Sequence, residues 1–229
     1  MSRSLRRRRK RVVPLVAQSH PNLPITEQFR LIRTNLMFSL VDNDKKLLMV
    51  TSPEPGDGKS TVAANLSIVL AQQGKQVLLV DTDLRKPSVH HTFNVSNLNG
   101  LTNSLTKEIT VEEGIRKTII PNLFILTSGP VPPNPSELLS SKCMEKTIEK
   151  LKYQFDYIVF DTPPVLSVTD PQIIANICDG VMLVVVSGKT HKDKALRAKE
   201  LLDKAKSNLI GVIVNGVQTT KSEYYERYS

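Results

Sequence analysis

Short, uniformly apolar runs alternate with helical stretches along most of the chain. KLLMVTS (46–52), QVLLVD (76–81), NLFILTS (122–128), YIVFD (157–161), VMLVVVS (181–187) and LIGVIVN (209–215) read as six strands. Runs this apolar fit strands buried on both faces, as in a parallel sheet covered by helices. Helical patterns fall at 59–73, ended by Gly74, at about 136–152, near 170–177, and as a charged amphipathic stretch near 190–206. An earlier helix is expected from Thr26, as N-cap, to about Leu40, with Phe29, Ile32, Leu36 and Leu40 on one face. The fold class is α/β: a mostly parallel sheet with helices on both faces, in a single domain. In such sheets ligands bind beyond the carboxyl ends of the strands, so the residues that follow each strand carry the functional information.

The first strand runs into VTSPEPGDGKST (50–61). A phosphate-binding loop has the spacing G-x-x-x-x-G-K-[ST]. With Gly58, Lys59 and Ser60 as its end, the first glycine would be residue 53, which is Pro53. The proline costs one N–H at the start of the loop. Gly56 and Gly58 keep backbone freedom where phosphates approach, beside Pro55 and Asp57. A helix starting at Gly58 or Lys59 turns its N–H groups and positive end toward an anion. Lys59 can reach β- and γ-phosphates, Ser60 can place its hydroxyl on Mg²⁺, and Thr61 completes the loop. The fold is thereby P-loop NTPase-like.

Two further strand ends carry carboxylates. LLVDTDLR (78–85) supplies Asp81, Asp83 and Arg85, and YIVFDTPP (157–164) supplies Asp161. Asp161 after four apolar residues has the Walker-B arrangement, with reach to Mg²⁺. Of Asp81 and Asp83, one suits the metal or its water, and the other suits deprotonation of an attacking hydroxyl. Asp81 is the expected base and Asp83 the expected metal ligand, although the two could exchange roles. An aspartate at a strand end can also simply cap the next helix. Arg85 could orient the aspartates, hold phosphate, or form a structural salt bridge. Asn215, after the last strand, lies where this fold often contacts adenine.

Charge changes the picture only at the N-terminus. RSLRRRRKR (3–11) holds seven basic side chains, leaving 24 of the 31 Lys and Arg against all 22 acids elsewhere. Such an arm is drawn to an anionic leaflet at about 1 kcal/mol per basic residue. A solvated arm and nucleic-acid phosphates are the other readings, nucleic acid being the least favoured. No apolar run approaches the roughly 20 residues of a membrane helix, and no secretory signal is expected. Cys143 and Cys178 are expected in helices, as buried reduced thiols without metal spacing or a mutual role. That pattern suits the cytoplasm.

The combined motifs resemble the bacterial tyrosine kinase family, P-loop proteins that govern capsule and exopolysaccharide production. TSPEPGDGKST corresponds to its variant Walker A, LLVDTDLR to its second Walker-A-like motif, YIVFDTPP to its Walker B, and SGPVPPNPSELLSS (128–141) to another segment typical of it. The likeness covers nearly everything after the basic arm. It implies ATP and Mg²⁺ as cofactors and tyrosines as acceptors. The ending KSEYYERYS holds three of the chain's five tyrosines, Tyr224, Tyr225 and Tyr228, as expected autophosphorylation sites. A docking tail that buries these aromatics is the alternative. Glu27, Arg30 and Arg33 correspond to the family's E-x-x-R-x-x-R subunit-contact motif, which builds a ring; an intrahelical ion pair is the plain alternative.

The resemblance further implies a membrane-protein activator acting through its cytoplasmic segment, a cognate tyrosine phosphatase and tyrosine-bearing protein substrates. The expected location is the cytoplasm, with recruitment to the inner face of the membrane. The rival reading is a switch ATPase of the partitioning and septum-positioning type. Its signature lysine would fall at residue 54, which is Glu54. The expected organisation is a basic tail and linker (1–24), a kinase domain (25–217) opened by an oligomerisation helix (25–41), and a tyrosine-rich tail (218–229).

Overall fold

All six expected strands are present, joined by a short seventh. In this computed structural model residues 13–40 and 46–217 are described. The strands are β1 (Lys46–Thr51), β2 (Val77–Asp81), β3 (Ile115–Lys117), β4 (Leu123–Leu126), β5 (Tyr157–Asp161), β6 (Gly180–Val186) and β7 (Leu209–Asn215). They form one sheet in the order β3-β4-β2-β5-β1-β6-β7. All neighbours pair parallel except β3 with β4.

Side chains alternate faces along a strand, and both faces of the central strands are covered; edge strand β7, expected to be buried on both faces, is not, and its Val212 and Val214 are exposed. Leu48 and Val50 of β1, with Leu79 and Val159, pack beneath α3 (Lys59–Ala71) and α2 (Pro24–Ser39). Leu47 and Met49, with Leu78, Ile158 and Phe160, face α8 (Lys142–Lys152), α9 (Asp170–Ile177) and α10 (Lys192–Lys204). This double coverage is why the central strands read as unbroken apolar runs.

Several local expectations change. Thr26 is not the N-cap of α2: the helix begins at Pro24, whose fixed φ suits the first turn, with Leu23 before it. The buried Thr26 hydroxyl instead donates to the His20 carbonyl at 2.8 Å. The helix expected at 136–152 is two, α7 (Pro135–Leu139) and α8. Ser141 separates them by capping α8, its hydroxyl accepting from the Met144 N–H at 3.2 Å. Short helices α1 (Val16–Ser19), α4 (Val89–Thr92), α5 (Leu101–Leu105) and α6 (Val111–Gly114), and strand β3, were not evident from periodicity.

The stretch around α1 lies against α3. Buried Asn65 of α3 accepts from the Ala17 N–H at 2.9 Å and donates to the Pro14 carbonyl at 2.9 Å. Cys143 is half-buried in α8, whereas Cys178 is buried just beyond α9; both are free. Among the described residues no helix is long and apolar enough to cross a membrane. The basic arm and the tyrosine cluster lie outside the described residues.

Candidate active site

The three central strands end together. Asp81 of β2 stands opposite Asp161 of β5, and Asp161 opposite Val50 of β1, so both carboxylates meet the loop that leaves β1. That loop reverses through Gly56 (φ 85°) and Gly58 (φ 96°), left-handed positions that favour glycine. Helix α3 then starts at Lys59, where the sequence places it. Pro53 is buried at the loop's entrance. Inside the turn, Asp57 accepts the Glu54 N–H at 3.2 Å, and the Asp57 carbonyl accepts from Asn215 Nδ2 at 3.0 Å.

Lys59 points to the aspartates. Its Nζ lies 3.4 Å from Asp83 Oδ2, 3.6 Å from Asp161 Oδ1 and 3.3 Å from Ser60 Oγ. Burial works to strip its proton, but Asp161, Asp83 and Asp81 outweigh burial and hold its pKa above the ordinary lysine value. Asp161 is 0% exposed, and neither of its carboxylate oxygens has a hydrogen-bond partner. Burial raises its pKa against the pull of Lys59. A buried carboxylate without hydrogen bonds is costly unless something charged satisfies it. A hard divalent cation held by Asp161, Asp83 and Ser60 fits that need, since such ions take oxygen ligands.

Asp81 is equally buried but well bonded. Its Oδ2 accepts the Ser88 and Val89 N–H groups at 2.9 Å each, so it holds the start of α4, and its Oδ1 accepts the Asp83 N–H at 3.2 Å. Burial and the neighbouring Asp161 nevertheless push its pKa up to about 7. The segment it holds returns to the phosphate loop, with Ser88 Oγ 3.3 Å from Ser60 Oγ.

The remaining expected residues lie further out. Arg85 grips the fully buried Asp170 at 2.8 and 3.1 Å and also reaches Ser136 at 3.3 Å. Asn215 spends Nδ2 on the loop and Oδ1 on the Gly216 N–H at 2.8 Å. On α2, Arg30 pairs with Glu27, while Arg33 donates to the Val69 carbonyl of α3 at 3.0 Å. Two lysines that the motifs do not mark border the loop. Lys189 stands 3.5 Å from Asp57 Oδ1, and Lys194 stands 2.6 Å from Glu54 Oε1. Lys189 follows the end of β6, so the strand-end rule that found the aspartates could have found it too.

Comparison with known proteins agrees with this geometry. The AAA domain family matches residues 45–198. The tyrosine-protein kinase YwqD of Bacillus subtilis is 49% identical over 214 residues, covering 93% of this chain and 90% of that protein. CpsD, a tyrosine-protein kinase of Streptococcus agalactiae serotype III, is 41% identical over 199 residues, covering 86% and 85%. The chain belongs to the bacterial tyrosine kinase family. It is a protein-tyrosine kinase, and its fold matches solved members. The kinase domain of the Escherichia coli tyrosine kinase ETK superposes with TM-score 0.86 at 32% identity, covering 96% of this chain and 87% of that one. The chimerical protein CapA2B2 gives 0.86 at 40% identity, covering 90% of each. The cell division ATPase MinD of Pyrococcus furiosus shares the P-loop fold at TM-score 0.63 and 27% identity, covering 74% and 71%.

Proposed function

We propose that this kinase binds Mg·ATP on the loop from Pro53 to Thr61 and phosphorylates Tyr224, Tyr225 and Tyr228 of a neighbouring subunit in a ring. The observation that carries the reading is Asp161, a buried carboxylate without hydrogen bonds, set beside Lys59 at the mouth of a glycine-bent loop. Ser60, Asp83 and Asp161 would hold Mg²⁺, which when bound supplies positive charge to the phosphate oxygens. Lys59 offsets charge on the transferring group. The tyrosine oxygen bonds to the γ-phosphorus, the bond to the bridging oxygen breaks, and ADP leaves. Asp81 takes the phenolic proton; its Oδ1 accepts the Asp83 N–H and keeps a free lone pair for that role. Asn215 keeps a second Nδ2 hydrogen and a second Oδ1 lone pair beyond its present bonds, enough for a contact with the base.

Glu27, Arg30 and Arg33 on α2 form the subunit contact. Several phosphates, each adding about −1.5 to −2 charges, would then repel the acidic site and eject the tail, opening the ring. A membrane-protein activator stimulates the enzyme through its cytoplasmic segment, and the basic arm helps hold the kinase at the inner leaflet. The output is control of capsule or exopolysaccharide synthesis, reset by a cognate phosphatase.

The test is incubation of purified protein with Mg·ATP and an activator's cytoplasmic segment, followed by peptide mass spectrometry of the tail. Phosphate on the tail tyrosines, absent in Lys59→Met, is the expected result. An unmodified tail despite bound nucleotide and a stimulating activator would turn the reading toward a switch ATPase.

A further inference from the structure

The phosphate loop is built to receive a polyanion, yet it carries two acids of its own. Glu54 sits on the rim, and its carboxylate is 2.6 Å from Lys194 of α10 with both side chains partly in water. Exposed pairs of this kind contribute little, about 0–1 kcal/mol. Asp57 is different. Its side chain is only 2% exposed, and its Oδ2 accepts the Glu54 N–H, a bond that closes the turn. The acid is therefore needed for the shape of the loop, while its charge opposes the ligand the loop exists to hold.

Among the described residues, Lys189 is the cation paired with Asp57. Its Nζ lies 3.5 Å from Asp57 Oδ1 and 3.5 Å from the Gly56 carbonyl. The turn after β6 delivers it there. Gly188 adopts φ 69°, the Lys189 N–H bonds to the Val186 carbonyl at 3.2 Å, and the Thr190 hydroxyl accepts from the Val186 N–H at 2.8 Å. The lysine side chain is 59% exposed, so the pair adds little to folding stability. Its consequence is local: it sets a positive charge against a buried carboxylate of the loop.

We propose that Lys189 is a positioning residue for nucleotide binding, acting by neutralising Asp57 within the phosphate loop. The proposal rests on the Mg·ATP reading of the site. It assigns Lys189 no bond to substrate, only the removal of a repulsion between Asp57 and the bound phosphates.

The experiment is isothermal titration of the full chain with Mg·ADP, which reads binding apart from tyrosine transfer. Lys189→Ala is expected to weaken affinity about tenfold, the scale of one uncancelled like charge within the loop that receives the phosphates. Its melting temperature should stay within about 2 °C. Lys189→Arg should restore affinity. In an Asp57→Asn background, where the carbonyl oxygen can still accept the Glu54 N–H, Lys189→Ala should change affinity by less than about twofold. Unchanged affinity of Lys189→Ala would overturn the proposal. An equal loss in both backgrounds would also overturn it, by showing that Lys189 meets the phosphates directly. If the unsubstituted protein binds no Mg·ADP, the nucleotide reading falls and this proposal falls with it.

Discussion

Asn215 Nδ2 donates to the Asp57 carbonyl at 3.0 Å, so the edge strand β7 braces the phosphate loop from the side away from the aspartates. Asn215 Oδ1 accepts the Gly216 N–H at 2.8 Å, which fixes which end of the amide faces the loop. Asn215→Ala should cost about 1 kcal/mol of stability, the usual value of one such bond, and loosen nucleotide binding. Asn215→Asp sets an acceptor against an acceptor and adds a charge near Asp57. It should bind Mg·ADP more weakly than Asn215→Ala, and equal affinities in titration would contradict the brace.

Gly58 tests the same corner by another route. Its φ of 96° is a conformation L side chains rarely adopt, and an added Cβ would stand 2.2 Å from Asn215 Nδ2. Gly74 has a comparable φ of 79° with nothing near a Cβ. Gly74→Ala should therefore lose only the conformational cost, about 1–2 kcal/mol. Gly58→Ala should lose more stability than that and bind Mg·ADP far more weakly. Equal losses in denaturant titrations would mean the close approach of Asn215 is unimportant.

These corners show what could and could not be read along the chain. The central strands are covered on both faces, so β1, β2, β5 and β6 announced themselves as apolar runs, and Lys59, Asp81, Asp83 and Asp161 at their ends were legible with them. Strand β3 has three residues on an edge and carries no period. The break between α7 and α8 depends on one serine hydroxyl that any helical pattern would absorb. Lys189 is marked by its place just after β6, but its partner Asp57 lies 132 residues away, and neither segment's local pattern names the other.

The two thiols should separate cleanly in reactivity. Burial, then the nearby Asp179, raises the pKa of Cys178 well above the ordinary thiol value, whereas Cys143 is only half-buried. Iodoacetamide at about pH 8.5, near the reference thiol pKa, should label Cys143 in the folded protein and Cys178 only after denaturation. The sign of the pH effect follows. The folded protein keeps the Cys178 proton where the unfolded chain loses it, so this group's contribution to stability falls as pH rises above about 8.5. Cys178→Ala should flatten that fall. Labelling of Cys178 at the rate of Cys143 would refute the assignment.

Arg85 offers a choice between structure and ligand. Its guanidinium holds both oxygens of the fully buried Asp170, which also accepts from Ser136 Oγ at 2.6 Å. Removing one partner of a fully buried pair costs about 3–5 kcal/mol. Here the guanidinium is partly in water, so Arg85→Met should cost less, about 1–3 kcal/mol after allowing for screening. Affinity for Mg·ADP should hardly change in the variant that remains folded. A large loss of affinity with unchanged stability would instead place Arg85 on phosphate.

Lys59→Met separates folding from chemistry most sharply. The ammonium's raised pKa means it contributes stability below its unfolded value of about 10.4 and loses that contribution only at higher pH. At pH 7 the substitution therefore forfeits the whole contribution, and the melting temperature should drop. The domain should still fold, because Asp161 and Asp81 already have raised pKa values and can take up protons once the counter-charge is gone. Protonation spares the core but not the reaction, since methionine offers a transferring phosphoryl group neither positive charge nor a hydrogen-bond donor. Tail phosphorylation should fall by at least about 100-fold, the scale seen when one preorganised electrostatic contact is removed, with the far-ultraviolet circular dichroism unchanged. Activity within tenfold of the unsubstituted kinase would mean that another cation does the work assigned to Lys59.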